Sequence, residues 1–243
     1  MPKNIKLEIE YDGTSFSGWQ TQPRKRTVQK EIENKLEKIL GSKTKIIGAG
    51  RTDAGVHALG QVASFKTKSR LKEDQIKNAL NGVLPEDIVI KNIEEVDSDF
   101  NARYSAKSKI YQYRIYLTKT ALNRNYAWEI RYNLNMKKLK EATEKIIGKK
   151  DFSSFCVVKS TKKNNICKVK KAFWRKKKSE LVFEIEGDRF LHSMVRALVG
   201  TLVDVGRGYF KLFDFERIID SKDRKKAGIT APAKGLYLLK VNY

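Results

Sequence analysis

The chain has 243 residues, 40% of them hydrophobic, and its 51 Lys+Arg against 28 Asp+Glu give a formal net charge of +23. That apolar content suffices for a packed core and excludes wholesale disorder, and no apolar run approaches the ~18 residues needed to cross a membrane. Two cysteines, Cys156 and Cys167, cannot build a disulfide framework or a CxxC motif, and His57 and His192 stand far apart. No structural zinc site is therefore expected, and a reducing, cytoplasmic setting is the expectation.

Ile5, Leu7 and Ile9 alternate with Lys6, Glu8 and Glu10, which predicts a strand ending at the turn dipeptide Asp12-Gly13. Thr27 is placed to cap a helix with the apolar stripe Val28, Ile32, Leu36, Ile39 and Leu40, stopped by Gly41. Lys45–Gly48 and Gln61–Thr67 read as strands. Glu73–Leu84 reads as a helix with Ile76, Ala79, Leu80 and Val83 on one face, broken by Pro85. Ile88–Val96 and Lys109–Leu117 are further strands. The order to Val96 is strand, helix, strand, strand, helix, strand, the ferredoxin-like or split βαβ order also used by RRM domains. Beyond it the pattern predicts a helix over Met136–Ile147, strands over Lys168–Arg175 and Leu181–Glu186, helices over Phe190–Val205 and Phe213–Ile219, and a closing strand Leu236–Val241.

Positive charge is concentrated. Residues 149 to 178 carry 12 basic residues and one acid, Asp151, with Phe152, Phe155, Phe173 and Trp174 interleaved. Val, Phe, Thr and Ser in this block suit strand and loop rather than a basic amphipathic helix, so it reads as a surface for nucleic-acid phosphates more than for a membrane. A generally Lys-rich composition is the plainer alternative.

The densest chemistry lies in Gly48-Ala49-Gly50-Arg51-Thr52-Asp53-Ala54-Gly55-Val56-His57-Ala58. No Walker A or Rossmann glycine pattern is present. Asp53 has no acidic neighbour closer than Asp12 or Glu73, which disfavours a two-metal site. What remains is one carboxylate beside Arg51, whose charge would favour the ionised form. Such a carboxylate serves as nucleophile or base. A purely structural Arg–Asp pair is the alternative.

This loop, together with Tyr11-Asp12-Gly13-Thr14-Ser15-Phe16-Ser17-Gly18-Trp19-Gln20, Tyr111-Gln112-Tyr113, Phe190-Leu191-His192-Ser193-Met194-Val195-Arg196 and Ala231-Pro232-Ala233-Lys234-Gly235-Leu236-Tyr237-Leu238, resembles the tRNA pseudouridine synthase A family in motif order over nearly the whole chain. The resemblance implies an α+β fold of two ferredoxin-like halves, residues 1–105 with catalytic loop 48–58 and residues 106–243 with the basic surface. The halves would share a large, mainly antiparallel sheet with helices on one side. It implies a homodimer that isomerises uridine to pseudouridine at positions 38, 39 and 40 of the tRNA anticodon stem-loop, with no cofactor and no metal. Asp53 matches the catalytic carboxylate, Tyr111 the tyrosine that stacks on the target uracil, and Arg196 an arginine held near that carboxylate. Arg51 joins Tyr111 and Arg196 as a substrate-binding candidate. Ser193, Asp188 and the lysines of 168–171 depart from the family's usual residues.

The chemistry is consistent with those residues. The C1′–N1 bond must break, the base rotate and a C1′–C5 bond form, on a uridine extruded from its stem at a cost of a few kcal/mol. Stacking on Tyr111 would offset ~1–3 kcal/mol of that. Asp53 could attack C1′, attack C6 or take the C2′ proton, and each route uses an ionised carboxylate. The competing readings are a non-catalytic RRM-like RNA binder and, more weakly, a metal-dependent nuclease. Read alone, Tyr111 and Tyr113 are packing residues, and His57 a hydrogen-bonding member of its loop.

Overall fold

The computed structural model describes residues 2–157 and 164–243. In chain order these form β1 (Lys3–Tyr11), α1 (Val28–Leu40), β2 (Ile47–Gly48), β3 (His57–Thr67), α2 (Glu73–Val83), β4 (Ile88–Val96), β5 (Ser108–Tyr116), β6 (Trp128–Glu129), α3 (Met136–Glu144), β7 (Gly148–Asp151), β8 (Ile166–Lys177), β9 (Glu180–Gly187), α4 (Met194–Gly206), α5 (Leu212–Ser221) and β10 (Leu236–Asn242). The architecture is mixed α+β with mainly antiparallel strand pairing. Among the described residues no helix is long and apolar enough to cross a membrane. The chain divides into two compact units, residues 1–107 with 237–243, and residues 108–236.

In the first unit β1 lies between β4 and β3, antiparallel to both, and β2 pairs with the far side of β3. Neighbour order β4-β1-β3-β2 with α1 and α2 in the crossovers is the ferredoxin-like arrangement. The alternation read in β1 places Ile5, Leu7 and Ile9 in the core at 0% exposure. α1 buries Val28, Ile32 and Leu36, and Gly41 ends it at φ +67, a left-handed conformation that glycine adopts without strain. Thr27 sits at the cap position, but its side chain makes no cap bond. The Val28 and Gln29 amides instead donate to the carbonyls of Gly18 and Trp19. Val83, expected on the buried face of α2, is 46% exposed because that face reaches the core only through Ile76 and Leu80. β3 starts at His57, four residues before the predicted strand, because Tyr237 and Leu238 of β10 pair in parallel with His57 and Ala58.

In the second unit β5, β9, β8 and β7 are neighbours in that order, all antiparallel, and the short β6 pairs in parallel with β5. β5 turns Tyr111, Tyr113 and Ile115 to the buried side. α4 is buried at every position but Arg196. It begins at Met194, four residues later than its apolar pattern suggested, because Ser193 at φ +58 breaks the helical path and leaves Phe190 to pack edge-on against Tyr111.

The basic block needs correction on one point. Phe152, Phe155 and Trp174 are 0%, 0% and 5% exposed and belong to the core, not to a binding surface. β8 alternates, so Trp174 points inward against Phe183 and donates to Thr143 Oγ1 at 2.9 Å, while Phe173 points outward between the cations of Lys171 and Arg175. Residues 158–163 of the block lie outside the described residues.

Candidate active site

Backbone hydrogen bonds from neighbouring segments and the side chains of Thr52 and His57 hold the Asp53 loop. The Trp19 amide donates to the Thr52 carbonyl at 3.1 Å, and the Gly55 amide to the Phe16 carbonyl at 3.3 Å. Val56 N–H closes a tight turn onto the Asp53 carbonyl at 3.2 Å. Gln61 reaches back to the Gly50 carbonyl at 3.0 Å. Thr52 is buried, its hydroxyl 2.8 Å from the Tyr11 hydroxyl. Burial pushes the Tyr11 pKa up, so that phenol stays neutral. The loop therefore arrives at Asp53 with Thr52 fixed on one side and Val56 on the other. Asp53 itself is half-buried, between exposed Arg51 and exposed Ala54.

The glycines around this loop mark places where two backbones meet. A Cβ on Gly13 would stand 2.0 Å from the Val56 carbonyl oxygen. One on Gly18, at φ +91, would stand 2.6 Å from the Thr52 carbonyl oxygen. Segment 16–19 thus does two jobs. Its carbonyls cap the first amides of α1, and its amides and carbonyls hold the Asp53 loop. This connection between the first and second motifs is not visible as periodicity. Its only sequence signal is the pair Gly13 and Gly18 beside the aromatics Phe16 and Trp19.

A second brace was missed by sequence reasoning. Arg26 donates to both Asp87 oxygens at 2.7 and 2.9 Å, and its guanidinium lies 4.1 Å over the Phe16 ring. The Asp87 carbonyl accepts from the Asp12 amide at 3.0 Å. Asp87 holds Arg26 firmly in its charged form, raising its pKa. His57 is buried, accepts from the Gly13 amide at 3.1 Å and stacks on Tyr237 at 4.7 Å. It is a structural member of the loop's base.

Tyr111 and Arg196, the other two candidates, belong to the second unit. Tyr111 is 7% exposed, its ring T-shaped against Phe190 at 5.1 Å. Arg196 is half-buried, and its Nε donates to the Ala231 carbonyl at 2.8 Å while its own carbonyl accepts from the Ala231 amide at 3.1 Å. The next residue, Pro232, accepts from the Tyr113 hydroxyl at 2.7 Å. The structure thus places Asp53 and Arg51 in one loop of the first unit, and Tyr111 and Arg196 on β5 and α4 of the second. Of the departures from the family pattern, Asp188 accepts from the amides of Lys168 and Arg189, at 2.8 and 2.7 Å, and so ties the end of β9 to β8. Among the described residues no group of three or more His, Cys, Asp or Glu is arranged to hold a metal ion.

A half-buried carboxylate on a tied-down loop of a ferredoxin-like scaffold, in a strongly basic chain, defines a candidate RNA-modifying enzyme. The family model described as tRNA pseudouridine synthase matches residues 8–105 and 142–243. The chain is 47% identical over 243 residues to tRNA pseudouridine synthase A of Caldicellulosiruptor bescii, covering 99% of this chain and 100% of that one. It is 45% identical over the same shares to the protein of that name from Acetivibrio thermocellus. It is 43% identical to that from Exiguobacterium sp., over 99% of this chain and 98% of the relative. The chain belongs to the tRNA pseudouridine synthase family, and is thereby an isomerase acting on tRNA. Among solved structures, a chain of a Cbf5-Nop10-Gar1 complex aligns over 82% of this chain and 54% of its own, at 13% identity and a TM-score of 0.37, too distant a likeness to bear on function.

Proposed function

We propose that this protein isomerises uridine to pseudouridine at positions 38, 39 and 40 of the tRNA anticodon stem-loop, with Asp53 as the catalytic carboxylate. The observation that supports it is the loop itself: Asp53 is kept within reach of solvent while the residues beside it are tied down. A carboxylate that must meet one atom of an extruded nucleoside needs that fixed placement, since misplacement by ~1 Å costs about 10²-fold in rate.

The target uridine leaves its stack, the C1′–N1 bond breaks, the base turns, and C1′–C5 forms. C5 gives up its hydrogen and N1 takes a proton, so atoms balance and no oxidant or reductant enters. Asp53 acts at the sugar or at C6 of the base. Arg51 supplies positive charge in the same loop as Asp53, and the second unit offers Arg196 for the anionic backbone of the tRNA and Tyr111 for the face of the uracil. The active species is a homodimer with tRNA laid across both copies.

The test is pseudouridine mapping in unmodified tRNA incubated with purified protein. Asp53→Ala and Asp53→Asn should bind tRNA with wild-type affinity and form no pseudouridine. Conversion by either variant would remove Asp53 from the chemistry. Conversion confined to other uridines would reject the anticodon assignment, and sedimentation of the enzyme at one chain's mass would reject the dimer.

A further inference from the structure

A single exposed aromatic side chain is ordinary, but several exposed together with cations mark a recognition surface. The second unit has such a place where α4 hands over to α5. Tyr209 and Phe213 are 67% and 64% exposed, and Tyr132 is 42% exposed. Each is matched to a guanidinium. Arg207 lies 4.8 Å from the Tyr209 ring and 5.7 Å from that of Tyr132, and Arg217 lies 5.3 Å from the Phe213 ring.

Arg207 is not a loose surface arginine. Its Nε and Nη2 both donate to Oδ1 of Asp204, each at 2.8 Å, and that carboxylate is 6% exposed. The Asp204 carbonyl also accepts from the amides of Tyr209 and Phe210, at 2.9 and 3.3 Å. One buried residue therefore fixes both the guanidinium and the turn that carries Tyr209. Tyr209 is held in turn by an edge-on contact with Phe210 at 4.8 Å. Exposed Lys211 and Lys138 add charge beside the rings. Three acids of this region are engaged: Asp204 with Arg207, Asp214 as acceptor for the Lys211 amide, and Glu216 with Lys145 at 2.6 Å, while Asp220 stands exposed one turn beyond Arg217.

We infer that this aromatic–arginine surface, built from Tyr132, Arg207, Tyr209, Lys211, Phe213 and Arg217, binds unpaired nucleotides of the tRNA substrate outside the Asp53 site. The inference rests on the reading of tRNA as substrate. Bases stack on aromatic rings and guanidinium planes, and lysines beside them meet the phosphates. A second copy of the chain is the other occupant that such rings could attract. In a symmetric contact, however, the patch would face itself, setting its arginines and lysines against the same cations of a partner that also carries +23. A polyanion is the complementary ligand.

The experiment uses the full chain and one unmodified tRNA transcript, with wild type assayed alongside for pseudouridine formation. Tyr209→Ala/Phe213→Ala should raise the Kd for tRNA by about tenfold or more. Lys211→Gln should flatten the dependence of log Kd on log salt by roughly 0.7. Both sites are exposed, so circular dichroism melts should match wild type. Tyr209→Trp/Phe213→Trp, which keeps stacking surface, should restore binding. A double alanine variant that binds tRNA as wild type does, while wild type converts the transcript, overturns the inference alone. A double variant that sediments lighter than wild type and keeps its tRNA affinity assigns the surface to a contact between copies, which also overturns it. A wild type that forms no pseudouridine overturns the functional reading beneath it.

Discussion

Gly13→Ala tests whether the Asp53 loop is catalytic because of where it is held. The new methyl would stand 2.0 Å from the Val56 carbonyl oxygen and 2.5 Å from its carbon, where ordinary contact begins at 3.4 Å. Both partners are backbone, so no side-chain rotation relieves the clash. Either the Asp12-Gly13 turn or the loop must retreat by roughly 1 Å or more, with an overpacking cost of about 1–3 kcal/mol. The turn is tied to the Asp87 carbonyl through the Asp12 amide and to His57 through the Gly13 amide. Val56 closes directly onto Asp53, so a loop that moves carries the carboxylate with it. A displacement of that size predicts a fall in kcat of about 10²-fold, or ~2.7 kcal/mol of barrier. The assay is single-turnover conversion of saturating enzyme with tRNA carrying tritium at uridine C5, since that hydrogen is released as C1′–C5 forms. Gly82→Ala is the control. It sits in α2 with nothing within 4 Å of its Cβ, so it should stabilise by about 0.5–1 kcal/mol and leave turnover unchanged. A Gly13→Ala enzyme that is folded and turns over at the wild-type rate would refute the link between loop placement and chemistry.

Arg26→Lys keeps the charge but loses the two-pronged grip on Asp87 and the flat contact on Phe16, so thermal melting should drop and single-turnover conversion should slow. Equal values for both enzymes would make the brace irrelevant. Tyr113→Phe leaves the Pro232 carbonyl without its 2.7 Å donor and should lower unfolding free energy by about 1–3 kcal/mol in a urea titration. Burial raises the pKa of Tyr11, Tyr113 and Tyr243 above the ordinary value of 10.0. The folded state therefore holds these protons more tightly than the unfolded chain. Their contribution is full below pH 10 and lost progressively above it, so the urea midpoint should fall more steeply above pH 10 in wild type than in Tyr11→Phe.

Where a pattern is set by one periodicity, it could be read directly. β1, α1 and β4 each bury one face, and their alternation or helical stripe is present in the residues themselves. β3 and α4 were harder, because both are buried on nearly every side and an apolar run then carries no phase. The sequence pattern accordingly starts β3 at Gln61 and α4 at Phe190, four residues from their starts in the structure. The aromatic residues of the basic block misled for a related reason. Composition counts Trp174 and Phe173 alike, whereas a strand sends one into the core and the other to solvent.

The site divides the same way. Asp53 stood out because a carboxylate among glycines has no packing reason to be there. Its supports did not, since Trp19 amide to Thr52 carbonyl, Gly55 amide to Phe16 carbonyl and Arg26 to Asp87 are contacts between segments as much as 61 residues apart. A backbone bond imposes no side-chain identity on either partner. It leaves a trace only where the approach is too close for a Cβ, and that is what Gly13 and Gly18 record. On the proposed role of Asp53, those two glycines are therefore as much a part of the site as the loop they hold. Substituting them should cost turnover without removing a single functional group from the site.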